Sequence, residues 1–219
     1  MATLLHIDAS ARKTRSISRA LGIEFKNQWL SANAEDQFIY RDVGSTPPEF
    51  ICESWIAAAF TPESDRTDEQ TSLLAQSELL IDELSTANVI VISTPMYNYG
   101  MPAALKAWVD QVVRVNKTFS FDLNRGDFPL EPILSGKALV VLTSCGEFGF
   151  GKGETREEMN HLAPHIQTIS KYLGVDETYE IRVEYQEFGD IRHKESIEKA
   201  YKAIPTVVSK LSTNLTMNA

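Results

Sequence analysis

The apolar positions of this chain follow two rhythms. Some runs are nearly unbroken: residues 4–7, 37–40, 89–92 and 138–142 are rich in Leu, Ile, Val and Phe. All four predict strands, and the fully apolar runs at 89–92 and 138–142 are those of strands covered on both faces, which are usually parallel. Residues 178–183 alternate and predict a further strand. Between these runs the period changes. Ile17, Leu21, Phe25 and Trp29 recur every four residues and predict a helix from Ser16. Helices are also predicted over 53–60, 68–86, 103–115, 164–173 and 191–211. In the fourth of these six helices Leu105, Trp108, Val109, Val112 and Val113 share one side, and Lys106, Asp110 and Arg114 form a charge ladder on the other. Residues 116–136 have no period but carry Phe119, Phe121 and Phe128, which predicts a long functional loop.

Strands and helices therefore alternate about five times without a repeat or linker. The economical architecture is one α/β domain over residues 1–219, doubly wound around a mostly parallel sheet. Ligands of such sheets sit beyond the carboxyl ends of the strands, where strand order reverses. The loops after the first, third and fourth buried strands are the places to look for chemistry.

The loop over 10–18 carries the hydroxyls of Ser10, Thr14, Ser16 and Ser18 and the cations Arg12, Lys13 and Arg15, with no acid. With Arg19 it is a basic island at the start of a helix, where free N–H groups and hydroxyls suit one phosphate. It has neither the dinucleotide glycines nor a Walker pattern. The bland alternative stands about even: Ser16 as an N-cap and the cations solvated. The loop over 93–102 offers Met96, Tyr97, Asn98 and Tyr99, which can edge a flat heterocycle or simply seal the sheet end. The loop over 143–149 is built from small residues, Ser144, Cys145 and Gly146, before Glu147. Cys145 has no His or Asp arrangement around it in the sequence, so an idle thiol is the expected state. Together the three loops describe a mononucleotide site.

Composition narrows the partners. The net charge is −9 over 219 residues, with 43% apolar and 23% charged residues, which fits a globular protein and disfavours a nucleic-acid binder. No apolar run reaches membrane-spanning length, so no membrane partner is expected. The N-terminus does not read as a signal peptide, and Cys52 and Cys145 show no disulfide or metal spacing. A cytoplasmic location and no metal are expected.

On these residues the chain resembles the FMN-dependent NADH:quinone oxidoreductases of the azoreductase family. Ser10 with Ser16, Ile17 and Ser18 is similar to that family's phosphate loop. Pro95 to Tyr99 is similar to its flavin loop, usually Pro-Met-Tyr-Asn-Phe. Leu105, Lys106, Asp110, Arg114, Thr118 and Phe119 match the helix and lid beyond that loop. The family's Ser-Arg-Gly-Gly is here Ser144, Cys145, Gly146 and Glu147, residues 147–158 are several residues longer, and Asn116 stands where Gly is common.

The resemblance implies an α/β flavodoxin-like doubly wound sandwich with a central five-stranded parallel sheet in the order 2-1-3-4-5. It implies tightly bound FMN, NADH as electron donor, and ping-pong hydride transfer to a quinone or an aromatic azo compound. The cofactor carries the chemistry, so no catalytic side chain is expected. FMN contacts fall to Ser10, Ser16, Ile17, Ser18, Met96, Tyr97, Asn98, Tyr99, Ser144, Cys145, Gly146 and Glu147. Phe119, Phe121 and Tyr172 become substrate contacts, and the protein becomes a homodimer. The alternative on the same fold is an FMN-binding electron carrier without NADH chemistry of its own.

Overall fold

The computed structural model describes residues 1–217. Five parallel strands form the sheet: β1 (Thr3–Asp8), β2 (Gln37–Asp42), β3 (Val89–Pro95), β6 (Lys137–Ser144) and β7 (Val175–Val183). Their order is β2-β1-β3-β6-β7, which is 2-1-3-4-5 counting sheet strands only. The flanking helices are α1 (Ile17–Ala32), α2 (Glu53–Phe60), α3 (Asp68–Thr86), α4 (Ala103–Val112), α5 (Ala163–Ser170) and α6 (Ile191–Met217).

The unbroken apolar runs hide a period of two, because each strand feeds two cores. On one face Leu5, Ile7, Ile90, Ile92, Leu139 and Val141 pack with Leu80 and Leu84 of α3 and Leu105 and Trp108 of α4. On the other face Leu4, Val89, Val91, Val140 and Leu142 pack with Phe25 and Trp29 of α1 and Ile204 and Val208 of α6. Successive side chains of a strand point to opposite faces, so apolar residues at every position mean apolar layers on both sides. Truncating Trp29 or Trp108, both fully buried, would cost about 3–5 kcal/mol.

Polar residues break this pattern near the carboxyl end of β1. His6 is buried, with Nε2 2.8 Å from Ser93 Oγ. A Cβ on Gly22 of α1 would lie 2.5 Å from the His6 ring and 2.4 Å from Ser93 Oγ. The helix can pass over this pair only because residue 22 is glycine. Asp8, two residues on, is buried beneath Arg19, one helical turn before Gly22.

Several predicted elements change at their edges. The fourth helix stops at Val112, and Arg114 leaves the predicted charge ladder. Its backbone N–H bonds Thr118 Oγ1 at 2.9 Å, and its buried guanidinium donates to Ser77 Oγ at 2.8 Å and to Glu78. Lys106 and Asp110 alone remain paired, at 2.5 Å. The aperiodic stretch contains a small antiparallel hairpin, β4 (Phe119–Phe121) and β5 (Leu130–Pro132), tied back by Ile133 N–H to the Thr118 carbonyl at 2.9 Å. The last strand starts three residues earlier than its alternation suggested, at Val175.

Candidate functional site

Beyond the carboxyl ends of β1, β3 and β6 the chain leaves β1 toward β2 on one side while β3 lies on the other. Strand order reverses here, which opens a crevice between the loops. A cleft of about 370 Å³ occupies it. All three predicted loops line it, through Ser10, Ser16 and Ile17, through Met96, Tyr97 and Asn98, and through Ser144 and Gly146. Pro95, Arg12 and Arg15 contribute as well, and so do Gln186 and Glu187 from beyond β7.

In the first loop Ser16 takes the structural role and also lines the cleft. It is the N-cap of α1, accepting from Arg19 N–H at 3.4 Å. Its hydroxyl also meets Ser10 Oγ at 2.9 Å and Ser18 Oγ at 3.3 Å, forming a knot of three hydroxyls at the helix start. Ser18 is buried behind Ser16 and does not line the cleft itself. The N–H groups of Ile17 and Ser18 have no acceptor within the helix. Among the described residues Arg12, Lys13 and Arg15 have no ion-pair partner. With Thr14 and Gln186 they border a second hollow at the mouth of the cleft.

Arg19 does not belong to that basic island. It lies under the loop, bonded to Asp8 at 3.1 Å and to Asp42 at 2.7 Å, and Tyr40 Oη joins the group. Burial raises the Asp8 pKa to about 6 even though Arg19 opposes the shift. Burial also works against charge on Asp42, but hydrogen bonds from Arg19 and Ser45 outweigh it and hold that carboxyl below its usual range.

The second loop is a tight two-residue hairpin. Tyr97 and Gly100 exchange both backbone hydrogen bonds, at 3.1 and 3.0 Å, around Asn98 (φ 48°) and Tyr99 (φ 66°). Two consecutive positive φ values define a type I′ turn, in which Asn is at ease and Tyr is strained. Strain of this kind gathers at binding sites. The turn points Asn98 into the cleft. Tyr99 lies outside the lining, with its hydroxyl 3.2 Å from Glu147 and its ring 6.3 Å from Phe150.

The third loop is held from behind by a segment that the sequence reading passed over. The carbonyls of Cys145, Gly146 and Glu147 accept from Gln186 N–H (3.2 Å), Glu187 N–H (2.9 Å) and Tyr185 N–H (3.0 Å). A Cβ on Gly146 would meet Glu187 Cγ at 2.6 Å, so a larger residue here must displace the Glu187 side chain. The Cys145 side chain is buried away from the cleft, and burial pushes its thiol pKa up to about 12, which makes it inert. Glu147 is occupied outside the cleft by Tyr99 and by Arg156 at 3.8 Å. The extra length after it ends in a stack. Phe148 lies against Tyr185 at 4.5 Å and 11°, with Arg156 over Phe148 and Arg192 over Tyr185. Gln186 and Glu187 were nonetheless findable, because they follow the carboxyl end of a sheet strand as the other loops do.

Phe119 and Tyr172 do not line the cleft. They pack on each other, with ring centroids 5.4 Å apart. Phe121 is exposed on the β4–β5 hairpin.

The chain is similar to known proteins along nearly its whole length. A family model described as flavodoxin-like fold matches residues 2–207. The chain is 58% identical over 218 residues to an FMN-dependent NADH:quinone oxidoreductase 2 of Colwellia psychrerythraea, covering 96% of this chain and 100% of that one. It is 37% identical to an FMN-dependent NAD(P)H:quinone oxidoreductase 1 of Pseudomonas aeruginosa, covering 91% and 95%. Among solved structures, the azoreductase of Bacillus anthracis superposes with a TM-score of 0.85 at 18% identity, covering 96% and 100%, which speaks for the fold. The chain belongs to the flavodoxin-like family, in the branch of the FMN-dependent NADH:quinone oxidoreductases.

Proposed function

We propose that this chain is an FMN-dependent NADH:quinone oxidoreductase that also reduces aromatic azo compounds. The observation that carries the reading is the convergence of a hydroxyl-lined helix start and a strained ring-edge turn on one cleft of about 370 Å³. The residues fit FMN. Ser10, Ser16, Ile17 and Ser18 supply neutral donors for a terminal phosphate, with Arg12 and Arg15 beside them. Met96, Tyr97 and Asn98 offer apolar surface and amide groups for one side of the ring. Ser144 and Gly146 line the other side, Gly146 with its N–H and a close backbone, and Cys145, whose N–H and carbonyl bond Val183 and Gln186, shapes that wall from behind. Tyr99 and Glu147 support this wall through their mutual hydrogen bond. Bound there, FMN supplies two-electron hydride chemistry between NADH and the acceptor.

The protein's part is to hold the phosphate, fix the ring and leave one ring face open for donor and acceptor in turn. In this reading the substrate contacts are Phe119, Phe121 and Tyr172, although none of the three lines the cleft of its own chain. The working unit is a single domain over residues 1–219, assembled as a cytoplasmic homodimer. The dimer reading is supported by exposed apolar side chains at Phe50 and Phe60 and at Phe121, Leu123 and Phe128 on the hairpin excursion. No helix among the described residues is long and apolar enough to cross a membrane.

The test is optical. The purified protein is expected to be yellow and to bleach anaerobically when NADH is added. A colourless protein that FMN cannot reconstitute would overturn the reading. A yellow protein bleached by neither NADH nor NADPH would point to an electron carrier instead.

A further inference from the structure

Arg19 has an unusual set of partners for a cation beside a phosphate loop. Its Nε donates to the Arg12 carbonyl at 2.9 Å and its Nη2 to the Ser10 carbonyl at 2.6 Å. The other side of the guanidinium is neutralised by Asp8 and Asp42, and the side chain is only 11% exposed. Gly44 closes on the same spot, where a Cβ would lie 2.2 Å from the Ser10 carbonyl oxygen. The planar fork of arginine spreads five donors over two loop carbonyls and two carboxylates, whereas an ammonium offers three from a single point.

A carbonyl oxygen facing a phosphate repels it, whereas N–H and hydroxyl groups attract it. The fork turns the Ser10 and Arg12 carbonyls away from the cleft and leaves the Ser10 and Ser16 hydroxyls and the first N–H groups of α1 as the loop's offering. It also covers two carboxylates that would otherwise lie bare beneath the site.

We propose that Arg19 is a positioning residue that makes this cleft select a phosphorylated flavin over the same flavin without its phosphate. The inference rests on the FMN reading above and goes further by assigning the selectivity to one residue that does not line the cleft.

The test compares two ligands on the full chain freed of flavin, with binding read by flavin fluorescence quenching. Wild type should bind FMN more tightly than riboflavin. Arg19→Gln should weaken FMN by about tenfold or more, while riboflavin stays within a factor of about two. Arg19→Lys keeps the charge between Asp8 and Asp42 and should preserve the fold; its FMN loss should lie between the two, again with riboflavin unmoved. Equal weakening of FMN and riboflavin in both variants, or no weakening of FMN in either, would overturn the role of Arg19. Wild type that binds the two flavins equally would overturn selection by the loop, and wild type that binds neither would overturn the flavin reading itself.

Discussion

The two loops that flank the cleft solve one problem in different ways. The loop after β1 and the loop after β6 both turn carbonyls away from the cleft and leave donors toward it. After β1 a side chain does this: Arg19 takes the Ser10 and Arg12 carbonyls. After β6 the backbone does it: N–H groups of residues 185–187 take the carbonyls of residues 145–147. A side-chain clasp depends on one residue and on the carboxylates that hold it. A backbone clasp tolerates nearly any side chain. That difference explains how the second loop can carry Cys145 and Glu147 where relatives were expected to have Arg and Gly, and still present the N–H groups of Gly146 and Glu147.

Titration should separate the two sides most strongly, because the buried groups behind the β1 loop are the ones that titrate between about pH 4 and pH 6. Burial, then the charges of Arg19 and Lys26, lower the His6 pKa from 6.5 to about 4, against Asp42. Burial raises Asp8 from 3.8 to about 6, helped by Asp42 and opposed by Arg19 and by hydrogen bonds from Ser10 and Tyr40. His6 therefore contributes stability that is complete above pH 6.5 and is lost as the pH falls toward 4. Asp8 contributes stability that is complete below pH 3.8 and is lost as the pH rises toward 6. Each contribution is about 3 kcal/mol, and the two run in opposite directions across this window. Asp8→Asn should grow more stable with rising pH across this window, and His6→Gln less stable. Urea unfolding at successive pH values checks this; identical slopes in the two variants would contradict it.

The backbone clasp should break at Gly146. Gly146→Val drives a branched side chain into Glu187 and the cleft. FMN and riboflavin should both weaken, by roughly ten- to a hundredfold, corresponding to about 1–3 kcal/mol of overpacking. Loss of FMN binding alone would show that the third loop serves the phosphate, and the contrast with Arg19 would fail.

Cys145→Ala should do much less. The clasp uses its carbonyl, so flavin affinity should hold while the small lost side chain costs about 1 kcal/mol in unfolding experiments. A large loss of flavin would place the thiol itself in the site. The smallest effect is chemical. Cys52 is exposed, with a thiol pKa lowered by the Ser54 hydrogen bond, and Cys145 is buried with a raised one. Brief alkylation of the native protein, read by mass spectrometry, should label Cys52 and spare Cys145.

The middle of the sheet was legible because its burial is so complete. Strands buried on both faces leave uninterrupted apolar runs, and β1 and β3 are buried at every position. The hydroxyl loop and the ring-edge turn were legible because local chemistry names them. Arg19 was misread as part of a free basic island, since the acids that neutralise it come from β1 and from β2, 23 residues away in sequence. Arg114 was misread as a surface rung for a similar reason: Ser77 and Glu78, the partners that hold it, belong to another helix. Glu187 was missed because no motif marks it, and its place follows only from the pairing of β6 with β7 and the fit over Gly146. Contacts that cross between elements leave no local trace in the order of residues.

A crystal structure of the protein with FMN tests the central claim most directly. The phosphate is expected at the start of α1, about 3 Å from the Ser16 hydroxyl and the Ile17 N–H, with the ring between Asn98 and Gly146. A phosphate over Gly146 with the ring against Arg12 and Arg15, or FMN bound outside the cleft, would contradict the account.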